Sequence, residues 1–456
     1  MFRHKSGTAF HSLLFACLTL LSGSANVLAN VSAEEAKKLN GELTPMGAER
    51  NGSADGLIPA WTGETPKAPA GFKPGDHHPD PYAGEKPLFV IDASNAAKYA
   101  DHLTAAHLAM LKLYPDFKMP VYPTHRSATY PQWIYQAVYQ NALHAKLTDD
   151  GEGVVHASGG SPFPIPHNAY EVMWNHKLRY RGEAVETFAN SAVVNARGQY
   201  NLIKTDTTIR FQYSDPKRDP DGDDDRAILL LGATVAPPKL AGNRLLVHEY
   251  IDSLQNPRKA WIFLSGQRRV RRAPDIGYDA PVLISDSIAV VDNTDMFSGA
   301  MDRFNWKLLG KREIYIPYNA YALHSDKNSY DDILKPRHLN TDLLRYELHR
   351  VWVVEADLKA SRHHRYAKRV FYLDEDSWQI AVMEQYDSRG ELVSVGEGFP
   401  INYYENPLFW YATEVIYNLN NQSYYASGLD NQEKMSDFSV KPKISMFSPS
   451  SLTRMR

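Results

Sequence analysis

Cysteine is all but missing from this chain of 456 residues: the one present, Cys17, lies in an apolar leader. Disulfides, thiolate catalysis, zinc–thiolate sites and iron–sulfur clusters are thereby excluded from everything after the leader. An excess of charge is missing as well. Lys and Arg number 50 against 53 Asp and Glu, a formal net charge of -3, whereas a nucleic-acid partner demands a strongly basic surface. Past the leader no segment approaches the ~20 apolar residues that a membrane-spanning helix needs, so no integral membrane segment is expected in the mature chain. Gly-x-Ser-x-Gly, Gly-x-x-x-x-Gly-Lys, Gly-x-Gly-x-x-Gly and His-Glu-x-x-His are all absent. The usual signs of a hydrolase elbow, a nucleotide cofactor and a zinc protease go with them, and no cofactor is expected.

What is present begins with an address. Arg3, His4 and Lys5 precede an apolar run from Leu13 to Leu21, and small and polar residues lead to Val27-Leu28-Ala29. This order predicts a secretory signal peptide over residues 1–29, cut after Ala29. Ser22, Gly23, Ser24 and Asn26 cut the apolar run short of a retained anchor. The expected destination is a Gram-negative periplasm, with association to the outer membrane left open.

Residues 30–147 read as an arm. Ser32 followed by Glu34 and Glu35 fits the start of a short helix. Pro59, Pro66, Pro69, Pro74, Pro79, Pro81 and Pro87 then deny the segment long regular elements, so it should wrap over something else. From Ala93 to Tyr114 a helix is predicted, because Ala96, Tyr99, Leu103, His107 and Met110 recur at helical spacing before Pro115.

Residues 148–456 are predicted to be mainly strands, after a Gly/Pro-rich connection over 148–168. Thr207 to Tyr213, Ala227 to Ala236, Leu245 to Asp252 and Lys259 to Leu264 are short runs bounded by turn formers. Val351 to Ala356, Arg369 to Leu373, Trp378 to Tyr386 and Leu392 to Glu397 follow as a β-meander, with reversals at Asp374 to Ser377 and Asp387 to Gly390. Aromatic residues make up 11% of the chain, with 27 tyrosines, and favour strands and half-wet sites.

Candidate chemistry is sparse. Adjacent His77-His78 and His363-His364 point to opposite faces of a strand and cannot easily share an ion, so no metal site is expected. Asp219, Asp221, Asp223 and Asp225 alternate in a loop, the raw material of an oxygen-ligated calcium site, yet no glutamate follows at EF-hand distance. Arg268, Arg269, Arg271 and Arg272 are the densest charge cluster. They read either as a salt-bridge ladder or as a cradle for an anionic group or an acidic partner surface, since arginine grips phosphate and carboxylate bidentately. Trp174, Trp261, Phe263, Trp352 and Tyr372 are read on or beside strands, where they line a cavity for an apolar ligand or simply fill the core.

Several strings resemble one family. Leu43-Thr44-Pro45-Met46-Gly47-Ala48-Glu49 and Asp55-Gly56-Leu57-Ile58-Pro59-Ala60-Trp61-Thr62-Gly63 look like its amino-terminal signature. Similar to its later blocks are Pro162-Phe163-Pro164-Ile165-Pro166 with Trp174-Asn175-His176, and Gly266 to Pro274. Asp302-Arg303-Phe304-Asn305-Trp306-Lys307 and Lys368 to Asp376 complete the set. The family is domain of unknown function 1329, grouped with the LolA/LolB-like lipoprotein carriers. The resemblance implies an incomplete, strongly curved antiparallel β-barrel with helices on its open side and a space for acyl chains. It also implies a hydrophobic small molecule or lipid as ligand, and, as partners, an inner-membrane exporter of the resistance-nodulation-division type and an outer-membrane protein. It supplies no catalytic residues.

The fold class expected is therefore α+β, mainly β: a curved antiparallel sheet with covering helices and a long Pro-rich arm. The function expected is binding and transfer of a lipid or similar molecule, not catalysis. Burying methylenes releases ~0.8 kcal/mol each, so a C16 chain gains roughly 10 kcal/mol without covalent chemistry. One alternative is an envelope glycan or lipid hydrolase using Asp374 and Asp376, which sit in a turn expected to be exposed. The other is an exporter-docking assembly factor without a small-molecule ligand.

Overall fold

The structure, a computed structural model, describes residues 31–273 and 278–454. The leader over residues 1–29 lies outside the described residues. Short elements come first: α1 (Ala33–Ala36), β1 (Phe89–Ile91), α2 (Ala105–Leu113), β2 (Met119–Val121), α3 (Gln132–His144), β3 (Lys146–Leu147), β4 (Val154–Val155) and α4 (Ala169–Leu178). One meander follows, of β5 (Ala184–Val194), β6 (Tyr200–Phe211), β7 (Arg226–Ala236), β8 (Arg244–Tyr250), β9 (Lys259–Leu264) and β10 (Arg269–Ala273). The rest is β11 (Phe304–Pro317), the single turns α5 (Tyr321–His324) and α6 (Tyr330–Ile333), β12 (Tyr346–Leu358), β13 (Lys368–Asp374), β14 (Ile380–Tyr386), β15 (Leu392–Tyr403), β16 (Leu408–Asn418) and β17 (Ser423–Leu429).

Ser32 caps α1, its side chain accepting from the Glu35 N–H. The helix expected over 93–114 is split. Residues Ala96–His102 form a 3-10 turn, and Thr104 takes an extended conformation and caps α2 by accepting from the His107 N–H. A hydroxyl beside a free amide thus outweighs the continuing apolar period.

The main sheet runs β11-β12-β13-β14-β15-β16-β17-β5-β6-β7-β8-β9-β10, antiparallel throughout. The short β1 and β2 attach to it through one parallel pair, Val121 with Tyr346. The two meanders join where β17 pairs with β5, Tyr425 opposite Val193. Gly428 permits the register shift there: its φ is +81°, and a Cβ would stand 2.4 Å from the Ala412 carbonyl oxygen. The sheet curls so far that β11 meets β14 and β15, yet β10 and β11 do not pair and the barrel stays open.

The two halves of the sheet differ. Strands β13 to β16 are buried almost throughout, and Phe297, Phe371, Met296 and Met383 help fill the space inside the curl. The half formed by β7 to β10 is a thin wing. Its outer face carries Leu229, Leu231 and Leu246, with Trp261, Phe263 and Val270 packed beside them, under Phe447 and Leu452 of the C-terminal segment. His248 Nε2 donates to the Phe447 carbonyl at 2.8 Å, and Arg244 to that of Leu452 at 2.6 Å.

Residues of the Pro-rich arm lie against the body. His78 Nε2 is 2.8 Å from Glu405, Arg345 reaches Glu85 at 2.7 Å, and Trp378 Nε1 donates to the Met46 carbonyl at 2.9 Å. Met46, Ile58, Ile91 and Leu103 belong to the same core as the strands.

Phe447 is 3% exposed, and its ring is the largest group sealing the outer face of the wing. Phe447→Ala is expected to lower the unfolding free energy by roughly 3 kcal/mol, read by urea denaturation.

Candidate functional site

Side chains alternate along a strand, so the face opposite the C-terminal segment can be read from the register. Leu230 lies opposite Val247 and Ile209, Leu245 opposite Ile262, and Leu264 and Ile262 opposite Arg269 and Arg271. The inner face of the wing is therefore an apolar stripe ending in two arginines on the free edge. Ile228, Leu230, Val247, Ile262 and Leu264 are only half-buried there, and Leu245 is 38% exposed. The same strands are thus sealed on one side and left open on the other.

A roof covers the inner end of the stripe. Asn168 caps α4 by accepting from the Glu171 N–H, and the helix presents Trp174, Lys177 and Leu178 to the hollow. Immediately beyond its end, Arg179 and Arg181 clamp Asp295: the Arg179 guanidinium reaches its carboxylate at 2.5 and 2.9 Å, and Arg181 at 2.5 Å. Asp295 and Met296 have φ of +55° and +62°. Two consecutive non-glycine residues in that region cost energy that the surrounding contacts must offset. Burial alone would raise the Asp295 carboxyl, but the two arginines hold it well below the usual range. His176 adds a further tie: Nε2 donates to the Asp295 carbonyl at 2.8 Å, while Nδ1 accepts from the Ile380 N–H at 3.3 Å. Burial, with the Arg179 charge beside it, pulls His176 down to about 3, so the ring is neutral.

Between roof and sheet lies a cavity of about 180 Å³. Its walls are Trp174, Leu178, Ile209, Ile228, Leu230, Val247 and Trp410, and Lys177, Arg181, Glu249, Arg258, Asp295 and Glu414 stand around them. Burial, reinforced by the Asp295 carboxylate, pushes Glu414 up to about 8. Burial pulls the Lys177 ammonium down to about 8, against the attraction of Glu152 and Glu249. Ligand pockets usually enclose roughly 300–1,000 Å³, so a long molecule would have to extend from this hollow along the open stripe. A larger hollow of about 520 Å³ lies between the arm and the body. Its lining mixes His77, Asp80, Glu85, Asp326, Lys327 and Arg345 with Tyr82, Tyr122, Tyr321 and Leu344, so charged groups interrupt its apolar surface.

Of the five aromatic residues expected at a cavity, Trp174 lines this one, and it does so from a helix, not a strand. The other four do not. Trp261 and Phe263 lie on the outer face of the wing under the C-terminal segment. Trp352 stacks on Trp378 with Lys311 over its ring, and Tyr372 is buried with its hydroxyl 3.2 Å from Glu384. Strand propensity identified aromatic positions but not which face each would take. Arg268, Arg269, Arg271 and Arg272 are exposed and form no ion pair among the described residues, so the salt-bridge ladder does not form. Arg268 is in the turn with φ +50°, and Arg272 shares the outer face with Val270. Sequence reasoning missed Lys177, Arg179, Arg181 and Asp295. The Asn168–Glu171 spacing, a helix-start signal, was the available clue to the element that positions the first three.

The acidic turn is a correction. Asp374, Glu375 and Asp376 were expected to be exposed; they are 1%, 2% and 3% exposed. The N-terminal segment covers them: Arg126, which contacts the Arg50 and Pro59 carbonyls, grips both oxygens of Asp376 at 2.7 and 2.8 Å. Lys311 takes Glu375 at 2.7 Å, and Ser377 and Tyr318 donate to Asp374. Burial, with Asp376 alongside, pushes Asp374 up to about 6, and burial pushes Glu375 up to about 7. His349, Asp374 and Asp376 converge closely enough to hold a metal ion. However, Asp376 is already committed to a guanidinium, and a cation there would face Arg126. In the Asp219–Asp225 loop, Asp221 pairs with His156 and Asp225 accepts from Asn256, so those acids point to protein partners.

Fold and site define an open antiparallel β-sheet protein with a half-roofed apolar hollow. The chain belongs to the DUF1329 family of proteins of unknown function, whose match spans residues 90–453. It is 45% identical over 437 residues to the uncharacterized protein PA3922 of Pseudomonas aeruginosa PAO1, covering 95% of this chain and 96% of that one. Among solved structures it is similar to a DUF1329 family protein from Desulfovibrio piger, with 14% identity and a TM-score of 0.44, covering 62% of this chain and 97% of that one. The LolA superfamily protein NE2245 from Nitrosomonas europaea gives 11% identity and a TM-score of 0.37, covering 62% and 98%.

The neutral His176 sets a pH dependence. Its ring titrates near 6.5 when unfolded and near 3 in the fold, so the unfolded chain binds the extra proton between those values. Its contribution is complete above about pH 6.5 and declines toward pH 3 by up to about 1.4 kcal/mol per unit. His176→Gln should be less stable at pH 7 and flatter across this window in chemical denaturation. Asp374 and Glu375, with the opposite sign, are common to both proteins and cancel in the comparison.

Proposed function

We propose that the protein is a periplasmic carrier that binds a lipid or similarly hydrophobic molecule along the inner face of β6 to β9. The observation that carries this reading is the asymmetry of the wing. Its outer apolar face is covered by Phe447 and Leu452, whereas Leu230, Val247, Leu245 and Ile262 on the inner face stay partly exposed beside a hollow. An apolar surface of that kind, continuous with a cavity, marks a binding site. At ~0.8 kcal/mol per buried methylene, a chain lying on it is held without covalent chemistry. Arg269 and Arg271 stand where the stripe meets the free edge of β10, and an anionic envelope surface would meet the protein there. An exporter and an outer-membrane protein as donor and acceptor belong to the same proposal. No helix among the described residues is long and apolar enough to cross a membrane.

Native mass spectrometry of detergent-free protein from a Gram-negative host tests the reading. A bound lipid-sized adduct is expected, and ligand-free protein that takes up no fatty acid, sterol or terpenoid would end it. Leu245→Glu places a charge on the stripe at a position already 38% exposed and should weaken uptake at least tenfold, about 1.4 kcal/mol. Leu283→Glu, at a residue 82% exposed and outside the lining of the hollow, should not. The double change Arg269→Glu and Arg271→Glu is expected to abolish co-sedimentation with phosphatidylglycerol vesicles at low salt while leaving thermal stability within a degree or two.

A further inference from the structure

We infer that the carried molecule is a monoanionic amphipath, a long-chain carboxylic acid by chemical class, with its head group against the Lys177 ammonium and its chain along Leu230 and Val247. This rests on the carrier reading and narrows it.

Lys177 carries a charge that no carboxylate in contact matches. Lys177 projects from α4 into the hollow, with Nζ 3.8 Å from the centroid of the Trp174 ring. Among the described residues no carboxylate lies within ion-pair distance of Nζ and no hydrogen bond reaches it, although the Lys177 carbonyl accepts from Arg181 at 3.2 Å. Every other cation at the hollow is matched. Arg179 and Arg181 share Asp295, and Arg258 pairs with Glu249. The remaining acids are shifted toward their neutral forms: burial raises both Glu152, which accepts from the Met301 N–H at 2.8 Å, and Glu414. Three of the four cations are thus held by Asp295 and Glu249 and Lys177 alone is in contact with no carboxylate, and the rings of Tyr250 and Tyr278 complete the wall. A half-buried ammonium whose close partner is a ring face still lacks a hydrogen-bond acceptor, and a ligand carboxylate would supply a charge-assisted hydrogen bond where water is scarce. One free cation suits one negative charge. A phosphate monoester, at about -1.5 to -2 near neutral pH, would find Lys177 as the one cation at the hollow not already paired with a carboxylate. The apolar residues adjoining Lys177 suit the alkyl chain.

Laurate and dodecanol share chain length and differ in head charge, so they separate this inference from the one beneath it. At pH 7 the delipidated mature protein should bind laurate at least tenfold more tightly than dodecanol in isothermal titration. Lys177→Met should bring the ratio to within about twofold, its folding checked by near-UV circular dichroism. The wild type supplies an independent arm. Between pH 7 and 9 Lys177 loses its charge while Glu414 gains one, both near 8, so the preference for laurate should fall with rising pH. Equal affinity for the two probes in the wild type, or a preference that survives both Lys177→Met and pH 9, overturns the head-group assignment and leaves the carrier standing. Binding of neither probe overturns both.

Discussion

The pairing of β17 with β5 is the constraint on which the architecture depends. Within each half, strands pair with their neighbours in sequence, but Tyr424, Tyr425 and Ala426 against Val194, Val193 and Ala192 bring the last strand to β5. That junction converts two ribbons into one sheet with free ends at β10 and β11. It also brings β16, with Trp410 and Glu414, to the hollow whose other walls come from β6 to β8. The site is thus assembled from residues more than two hundred positions apart, and none of its chemistry exists within either meander alone.

Curvature then divides the sheet into two unlike parts. Where it curls tightly, strands β13 to β16 are buried almost throughout and their side chains join the main core. Where it opens, the wing has only two layers to choose from. The C-terminal segment takes one face; α4 and the loop at Asp295 cover part of the other. That roof is held by the burial of Val172, Met173, Trp174 and Leu178 in the core and by a carboxylate between two guanidiniums, not by strand pairing. Breaking one partner of such a buried cluster typically costs about 3–5 kcal/mol.

Much of the sheet was legible from sequence, because alternation and turn residues are local signals. The strand Lys259–Leu264 coincides with its predicted run, and the meander from Tyr346 to Tyr403 carries its reversals at the expected turns. What failed depended on distant chain. Asp374, Glu375 and Asp376 look exposed in a turn until Arg126 and the backbone of Arg50 and Pro59 are laid over them. Trp261 and Phe263 alternate as cavity residues should, and only the position of Phe447 reveals that they face the sealed side. The helix α4 escaped notice because it is buried nearly all round, and such a helix has no amphipathic period to read.

The free edge at β10 has one further meaning. An unpaired strand is a template on which another copy of the same strand can add, the first step of open-ended polymerisation. Arg269, Arg271 and Arg272 line that edge in a segment of only five residues, and like charges brought into register repel. The residues that would greet an anionic surface are therefore also those that keep neighbouring molecules from stacking. Any variant that trades them for neutral side chains gives up colloidal protection together with attraction, so such arginines are costly to lose for two unrelated reasons.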